Sequence, residues 1–217
     1  AMGLGRMMGI ELPANFRRPY MARSVRDFYR RWHMTLGSWF RDYVYFPMGG
    51  SRCGKGKMVF NLVVVWLLTG LWHGEGVNFL LWGAILGLLI IMEKLWYGKY
   101  LQKLPVLGHI YLVILIPLSW VVFAITDPGQ LGTYFCRLFP LLGNGGVAVN
   151  AQDIVKYLQG YGGLLAIGIV LCIPAVFDFY EKHKKNPVVI LMLFVLFWIS
   201  IYFVSSTAGN PFMYLNF

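Results

Sequence analysis

Charged side chains are scarce in this sequence. Asp, Glu, Lys and Arg make up 13% of the 217 residues, whereas an average soluble domain has about 25%. Hydrophobic residues account for 58% and aromatic residues for 17% of the chain, so an ordinary soluble enzyme is excluded. The abundant aromatic residues suit the lipid–water boundary. The composition therefore predicts an all-α polytopic membrane protein.

Cysteine is also rare, and the three that occur are scattered. Cys53, Cys136 and Cys172 form no Cys-x-x-Cys pair and have no matching histidine spacing. They predict neither a disulfide framework nor a zinc site, and no metal is expected. Nothing in the chain resembles a module that reads nucleic-acid bases, so we expect no nucleic-acid partner.

Acidic residues are few in the first quarter of the chain. Residues 1–57 contain eleven Lys and Arg against three Asp and Glu, which accounts for +8 of the net charge of +10. Beside long apolar segments, such a region is typical of a cytoplasmic surface that touches anionic lipid or an anionic ligand. The chain starts without Met and without the order of a signal peptide, and we expect it to be the carboxy-terminal part of a longer protein.

The long apolar segments predict the membrane topology. Residues 104–126, 161–180 and 187–207 are each about twenty residues long, enough to span a bilayer as a helix. Two shorter segments, 58–73 and 77–92, are separated only by Gly74, Glu75 and Gly76. They predict a helical hairpin over 58–92 that turns deep in the membrane or near its far side.

Basic residues flank these segments at positions that we predict to lie on the cytoplasmic side of the membrane. They place 52–57, 94–103 and 181–185 in the cytoplasm and leave 127–160 and 208–217 outside it. Residues 1–57 do not form a clean span and predict a basic interfacial or re-entrant region. Within it, residues 24–46 predict an amphipathic helix that begins at Ser24, with Asp27 completing an approximate capping box.

His73 is the first candidate for chemistry. It lies at the end of an apolar helix, next to glycines that allow backbone or ligand to approach closely. Burial favours the neutral imidazole, which is the form that a general base needs. The alternative is a structural histidine that packs against a neighbouring helix. Glu75 either orients this imidazole or contacts substrate.

His33 is the second candidate, within the sequence Arg30-Arg31-Trp32-His33. The arginines there, with Arg41, have the forked donors that suit phosphate or carboxylate. They can equally bind lipid headgroups. In that case His33 is a structural residue whose hydrogen bonds are made within the protein. Asp42, next to Arg41, is expected to form a structural ion pair more than to act as an acid.

Two long motifs resemble a known family. The strings FYRRWHMTLGSWFRDYVYFPMGGSR (28–52) and NLVVVWLLTGLWHGEGVNFLLWG (61–83) resemble the membrane-bound O-acyltransferases, in the bacterial branch that O-acetylates polysaccharides such as alginate. Residues 1–20, 118–143 and 210–217 are also similar to that branch. The resemblance implies a multi-helix fold around a tunnel, incomplete here at its amino terminus, in a bacterial inner membrane.

By motif, the resemblance assigns His73 as the catalytic histidine and His33 as a second catalytic histidine near the tunnel. It implies transfer of an acyl group, expected to be acetyl, from a cytoplasmic thioester to polysaccharide hydroxyls outside the cell. The thioester is acetyl-CoA or an acyl carrier protein, with no bound cofactor. The candidate substrate-binding residues are Arg30, Arg31, Trp32, Arg41, Asp42, Trp72, Glu75 and Asn78.

The resemblance leaves several points open. The acceptor hydroxyl belongs either to the sugar itself or to an extracytoplasmic relay partner similar to SGNH hydrolases. D-alanyl transfer to teichoic acid is a related alternative, since that branch shares much of RRWHMTLGSWFRDYV. From other classes, a transporter or lipid translocase would also place a histidine within the membrane, and a membrane scaffold would need neither histidine for acetylation.

Overall fold

The computed structural model describes residues 2–139, 150 and 152–206, and those residues contain helices and no strand. Short 3₁₀ and π-helical turns occupy Pro19–Met21, Arg41–Tyr45 and Glu93–Tyr97. The α-helices of the described part are α1 Met2–Met7, α2 Val25–Arg31, α3 Met34–Phe40, α4 Lys55–His73, α5 Val77–Met92, α6 Gly98–Lys103, α7 Pro105–Ala124, α8 Pro128–Leu138, α9 Gln152–Leu171, α10 Pro174–His183 and α11 Pro187–Ser206.

Five helical stretches of the described chain are long and apolar enough to cross a membrane. They are α4, the continuous stretch Val77–Lys103, α7, α9 and α11. The prediction of an all-α polytopic membrane protein is therefore confirmed. Two predicted spans, 104–126 and 187–207, correspond closely to α7 and α11, whose bounds fall on prolines that suit the first position of a helix.

The predicted hairpin segments 58–73 and 77–92 lie at α4 and α5, and helical turns continue after α5 to Lys103. One prediction about the spans needs correction. A single helix over 161–180 is wrong, since α9 ends at Leu171 and Ile173 is extended before α10 begins. The reason is Pro174, which has no backbone N–H and disfavours helical geometry in the residue before it.

The chain divides into two compact units, residues 1–149 and 150–217. In the second unit, α9, α10 and α11 are described, and their large apolar side chains are mostly exposed. Parts of the predicted loop 127–160 and all of the predicted tail 208–217 lie outside the described residues, as do positions 140–143 and 210–217 of the family resemblance.

In the first unit, α4 and α5 form an antiparallel pair that approaches closely at glycines. A Cβ at Gly70 would overlap the backbone carbonyl of Phe79, and one at Gly83 would overlap the backbone carbonyl of Trp66. Helix α7 packs on the other side of α5. The buried core between α2, α4, α5 and α7 consists mainly of Phe28, Trp66, Phe79, Trp82, Leu86, Leu112, Ile116 and Phe123.

A buried carboxylate attaches α2 to the end of α5. Glu93 is 5% exposed, and its two oxygens accept hydrogen bonds from the backbone N–H groups of Val25 at 2.7 Å and Arg26 at 2.9 Å. These N–H groups lie in the first turn of α2 and have no partner within the helix. Glu93 therefore fixes the start of the helix that leads to His33.

The predicted amphipathic helix over 24–46 is interrupted in the structure. The cap at its start is confirmed, because Ser24 Oγ accepts a hydrogen bond from the backbone N–H of Asp27 at 3.1 Å. The helix then ends at Arg31, Trp32 is extended, and His33 adopts left-handed backbone geometry with φ 48°. The chain changes direction at His33 before α3 begins, so His33 lies at a bend.

Candidate active site

His73 is the last residue of α4, at the turn between the two helices of the hairpin. The turn consists of Gly74, Glu75 and Gly76, and Gly74 has φ 153°, a conformation that favours glycine. A Cβ at Gly74 would overlap the ring of Phe79. The glycine therefore lets the chain reverse tightly while His73 stays packed against α5 and α7.

Seven side-chain rings form a closed series of contacts around the two histidines, which we call the histidine–aromatic cluster. Adjacent ring centroids in the series are 4.8–6.3 Å apart. The series runs from His33 through Trp72, His73, Phe123, Trp120, Trp32 and Phe16 and returns to His33. The structure thus brings together His33 and His73, which are 40 positions apart in the sequence.

Trp72 lies between the two histidines in this cluster. Its ring centroid is 5.7 Å from that of His33 and 4.8 Å from that of His73, with edge-to-face geometry at both contacts. Trp72 is nevertheless 52% exposed. The space beside the two imidazoles is therefore bordered by an indole that remains accessible from outside the first unit's core.

The imidazole of His73 is surrounded by aromatic rings, with those of Trp82 and Phe123 at centroid distances of 5.1 and 5.0 Å. Within the described part of the chain, no hydrogen bond is formed by either ring nitrogen of His73. Its nitrogens are thus available to a substrate hydroxyl, in surroundings that supply few competing polar groups.

Asn78 links α5 to the part of α7 that contacts His73. It is 2% exposed, and its Nδ2 donates to the backbone carbonyl of Phe123 at 2.7 Å. The side chain is buried between α5 and α7, and its predicted contact with substrate stays a prediction. The position of Asn78 fixes Phe123, whose ring packs against His73.

Asn15 orients His33. The Oδ1 of Asn15 accepts from the backbone N–H of Thr35 at 3.0 Å and from Thr35 Oγ1 at 2.9 Å, so the amide nitrogen faces the other way. That Nδ2 lies 3.5 Å from Nδ1 of His33. An NH₂ group can only donate, so a hydrogen bond at this contact requires the tautomer of neutral His33 that has its proton on Nε2. Burial also lowers the pKa of His33, which favours the neutral form.

The profile of the membrane-bound O-acyltransferase family matches residues 3–129, more than half of the chain, and this range includes the whole histidine–aromatic cluster. The chain belongs to the membrane-bound O-acyltransferase family. Together with its five apolar helices, this membership identifies a multi-pass membrane protein.

Individual relatives support the same placement. The chain is 40% identical over 192 residues to a probable alginate O-acetylase of Pseudomonas syringae pv. tomato, covering 86% of the chain and 36% of the relative. It is 28% identical over 238 residues to a peptidoglycan O-acetyltransferase of Helicobacter pylori, covering all of the chain and 45% of the relative. A teichoic acid D-alanyltransferase of Bacillus subtilis is 34% identical over 111 residues, or 46% of the chain and 28% of the relative. The chain thus spans less than half of each.

The structure does not bring Arg30 and Arg31 to the histidines. Both lie on the polar face of α2, whereas Trp32 lies with the buried residues on its apolar face and joins the cluster. The role of these arginines in binding substrate stays a prediction.

Arg41 and Asp42 bind each other on the exposed π-helical turn. The Nε and Nη2 atoms of Arg41 donate to the two carboxylate oxygens of Asp42 at 2.7 and 3.0 Å. These hydrogen bonds lower the pKa of Asp42. The expected structural ion pair is present, and no contact in the described chain connects either residue to the cluster.

Glu75 is exposed on the hairpin turn, and in the described residues no hydrogen bond or ion pair links it to His73. Orientation of the imidazole by Glu75 and its contact with substrate both stay predictions. No group of three or more potential metal ligands occurs in the described part of the chain.

Reasoning from the sequence missed four members of the site. Asn15 and Phe16 come from the loop before α2, and Trp120 and Phe123 come from the last turns of α7. The segments that contain them, 1–20 and 118–143, already resembled the family. That resemblance was the one signal in the sequence that could have pointed to these residues. A single Asn or Trp forms no motif that would mark it as part of a site.

Proposed function

We propose that this chain provides the histidine site of an acyltransferase that moves an acetyl group from a cytoplasmic thioester to hydroxyl groups of an extracellular or cell-wall polysaccharide. The observation on which the proposal chiefly rests is the histidine–aromatic cluster, in which His73 has free ring nitrogens and His33 lies across Trp72. The relatives named alginate O-acetylase and peptidoglycan O-acetyltransferase support the acetyl group and the polysaccharide acceptor.

In the proposed reaction, neutral His73 is the general base. It takes the proton of the acceptor hydroxyl as that oxygen attacks the thioester carbonyl. A C–O bond forms, the C–S bond breaks, and the thiolate leaves and receives the proton from His73. The surrounding rings exclude water, which limits hydrolysis of the thioester.

His33 has a separate role in this proposal. With its proton on Nε2, it donates a hydrogen bond from the face turned away from Asn15. A donor directed at the carbonyl oxygen stabilises the negative charge that develops during attack. His33 therefore polarises the thioester, while His73 activates the hydroxyl.

The donor and the route to the acceptor are part of the same proposal. Acetyl-CoA and an acetylated acyl carrier protein both present a phosphopantetheine thioester, and both suit the basic cytoplasmic face predicted for the chain. The acetyl group then passes to the sugar directly or through an extracytoplasmic SGNH-hydrolase-like partner. The bacterial inner membrane is the proposed location.

D-alanyl transfer to teichoic acid is the second candidate. The relative named teichoic acid D-alanyltransferase favours it, with 34% identity over 111 residues. The proposed histidine chemistry would be unchanged, since D-alanyl and acetyl thioesters react through the same carbonyl group. A transporter has no comparable support among the named relatives.

The test is acyl transfer in cells that produce the whole protein. Cells with the wild type or His73→Gln are supplied with labelled acetate, and label in the surface polysaccharide is measured at equal protein levels. We expect a loss of about 10²–10⁴-fold, the usual contribution of a general base. His183→Gln is the matched control, because His183 is half-buried at the end of α10 and, among the described residues, hydrogen-bonds only the Phe179 carbonyl of its own helix.

Two results would change the proposal. Undiminished acetate label in His73→Gln would show that His73 is structural. If polysaccharide label appears only from D-alanine and disappears in His73→Gln, the D-alanyl alternative replaces acetyl transfer.

A further inference from the structure

A polar pocket lies on the side of α2 that faces away from the histidine–aromatic cluster. It has a volume of about 410 Å³ and is lined mainly by Arg23, Arg26, Asp27, Arg30, Arg31 and Gln102. The α2 residues recur at intervals of three and four, so they share one face of the helix. The buried face, with Val25 and Phe28, lies on the opposite side.

The pocket has a surplus of positive charge. Four arginines and one aspartate line it, which gives a formal charge of +3. Asp27 is paired with Arg31, whose Nε donates to its Oδ1 at 3.1 Å. Among the ion pairs of the described residues, none includes the guanidinium of Arg23, Arg26 or Arg30.

Glu93 forms no ion pair with these arginines among the described residues, although its charge attracts Arg26. Glu93 lies beneath the first turn of α2, but its two oxygens are occupied by the backbone N–H groups of Val25 and Arg26. Arg23 and Arg30 are therefore left on this concave surface without a carboxylate partner among the described residues, whereas Arg26 is attracted by the charge of Glu93 without forming an ion pair with it.

We propose that this pocket binds phosphate esters. Guanidinium groups donate two parallel hydrogen bonds to phosphate oxygens, and several of them around one cavity suit a group with more than one negative charge. Gln102 adds a neutral amide donor from α6. The site is distinct from the histidine cluster and does not require the acyltransfer reaction.

The phosphate has two possible sources, which the same chemistry would recognise. One is the phosphate of a soluble ester such as the donor carrier. The other is the headgroup of an anionic phospholipid, since the pocket borders α6, the end of an apolar stretch that also includes Lys99 and Lys103.

The experiment measures protection of single arginines from phenylglyoxal, read by peptide mass spectrometry on the whole protein. One arm uses uncharged maltoside micelles with and without inorganic pyrophosphate. The other compares phosphatidylglycerol nanodiscs with those micelles, without pyrophosphate. We expect modification of Arg23, Arg26 and Arg30 to slow about tenfold at a ligand concentration ten times Kd. Arg52, exposed and outside the pocket, is the internal reference.

The two arms separate the sources. Protection in phosphatidylglycerol nanodiscs identifies a lipid headgroup, and protection by pyrophosphate alone identifies a soluble phosphate ester. Equal modification of the pocket arginines in every condition overturns the proposal. The double variant Arg26→Gln, Arg30→Gln should abolish protection of Arg23, whereas Arg52→Gln should preserve it. Because no turnover is measured, the result is independent of the proposed acyltransferase reaction.

Discussion

The close approach of α4 and α5 makes Gly83 a sensitive position, and we predict that Gly83→Ala destabilises the protein. A Cβ there would overlap the backbone carbonyl of Trp66, in the middle of α4. A helix backbone cannot move aside like a flexible side chain, so the two helices must separate. Overpacking of this kind costs about 1–3 kcal/mol.

A matched substitution isolates that cost. Gly132 lies inside α8 and is exposed, with no atom within 4 Å of a Cβ built there. Replacing either glycine by alanine gains about 1 kcal/mol of helix propensity. Gly132→Ala should therefore be neutral or stabilising, and the difference between the two variants should be the overlap alone, about 1–3 kcal/mol.

The assay is the free energy of unfolding from SDS titration of the whole protein in mixed micelles, with acyl transfer measured in parallel. Separation of α4 from α5 would also shift His73 relative to Trp82, which contacts it from α5. We therefore expect Gly83→Ala to lose both stability and activity. Equal stability of Gly83→Ala and Gly132→Ala would refute the inferred helix contact.

Three further predictions concern buried or positioned polar groups. Asn78→Ala removes the hydrogen bond to the Phe123 carbonyl, so it should cost about 1–3 kcal/mol in the same titration and lower acyl transfer; unchanged values would contradict its positioning role. Glu93→Gln replaces one acceptor with a donor facing the α2 backbone and should cost about 1–3 kcal/mol, whereas the exposed control Glu181→Gln should change stability by less than about 1 kcal/mol. Asn15→Asp would place a carboxylate oxygen beside His33 Nδ1 and favour its protonated form, so the pKa of His33, read from the ring signals of isotope-labelled histidine by NMR, should rise; an unchanged pKa would argue against this orientation of His33.

Much of the fold was predictable because membrane spans depend on local composition. Apolar segments of about twenty residues indicated α7 and α11 directly, and proline and capping residues mark several helix ends. Composition alone did not show that Pro174 divides the predicted span 161–180. The apolar segment continues through the proline, but helical hydrogen bonding does not.

The candidate site was predictable only in part. His73 and His33 stood out because ionisable side chains next to apolar helices and glycines are unusual. Arg30 and Arg31 line a separate polar pocket, whereas Trp32 joins the cluster, and their predicted role in substrate binding stays a prediction. Asn78 was expected to contact substrate, and its side chain is buried against the Phe123 carbonyl.

The sequence by itself determined the class of protein, the apolar helices and the two histidine motifs, because hydrophobicity and residue type act locally. The tertiary structure decided which side chains meet. Glu93 caps a helix that begins 68 positions earlier, and Asn78 bonds a carbonyl 45 positions later. Such contacts depend on how helices pack, which is set by the shape of their surfaces, including the bare glycine faces of α4 and α5. The same packing places His33 and His73 on either side of Trp72.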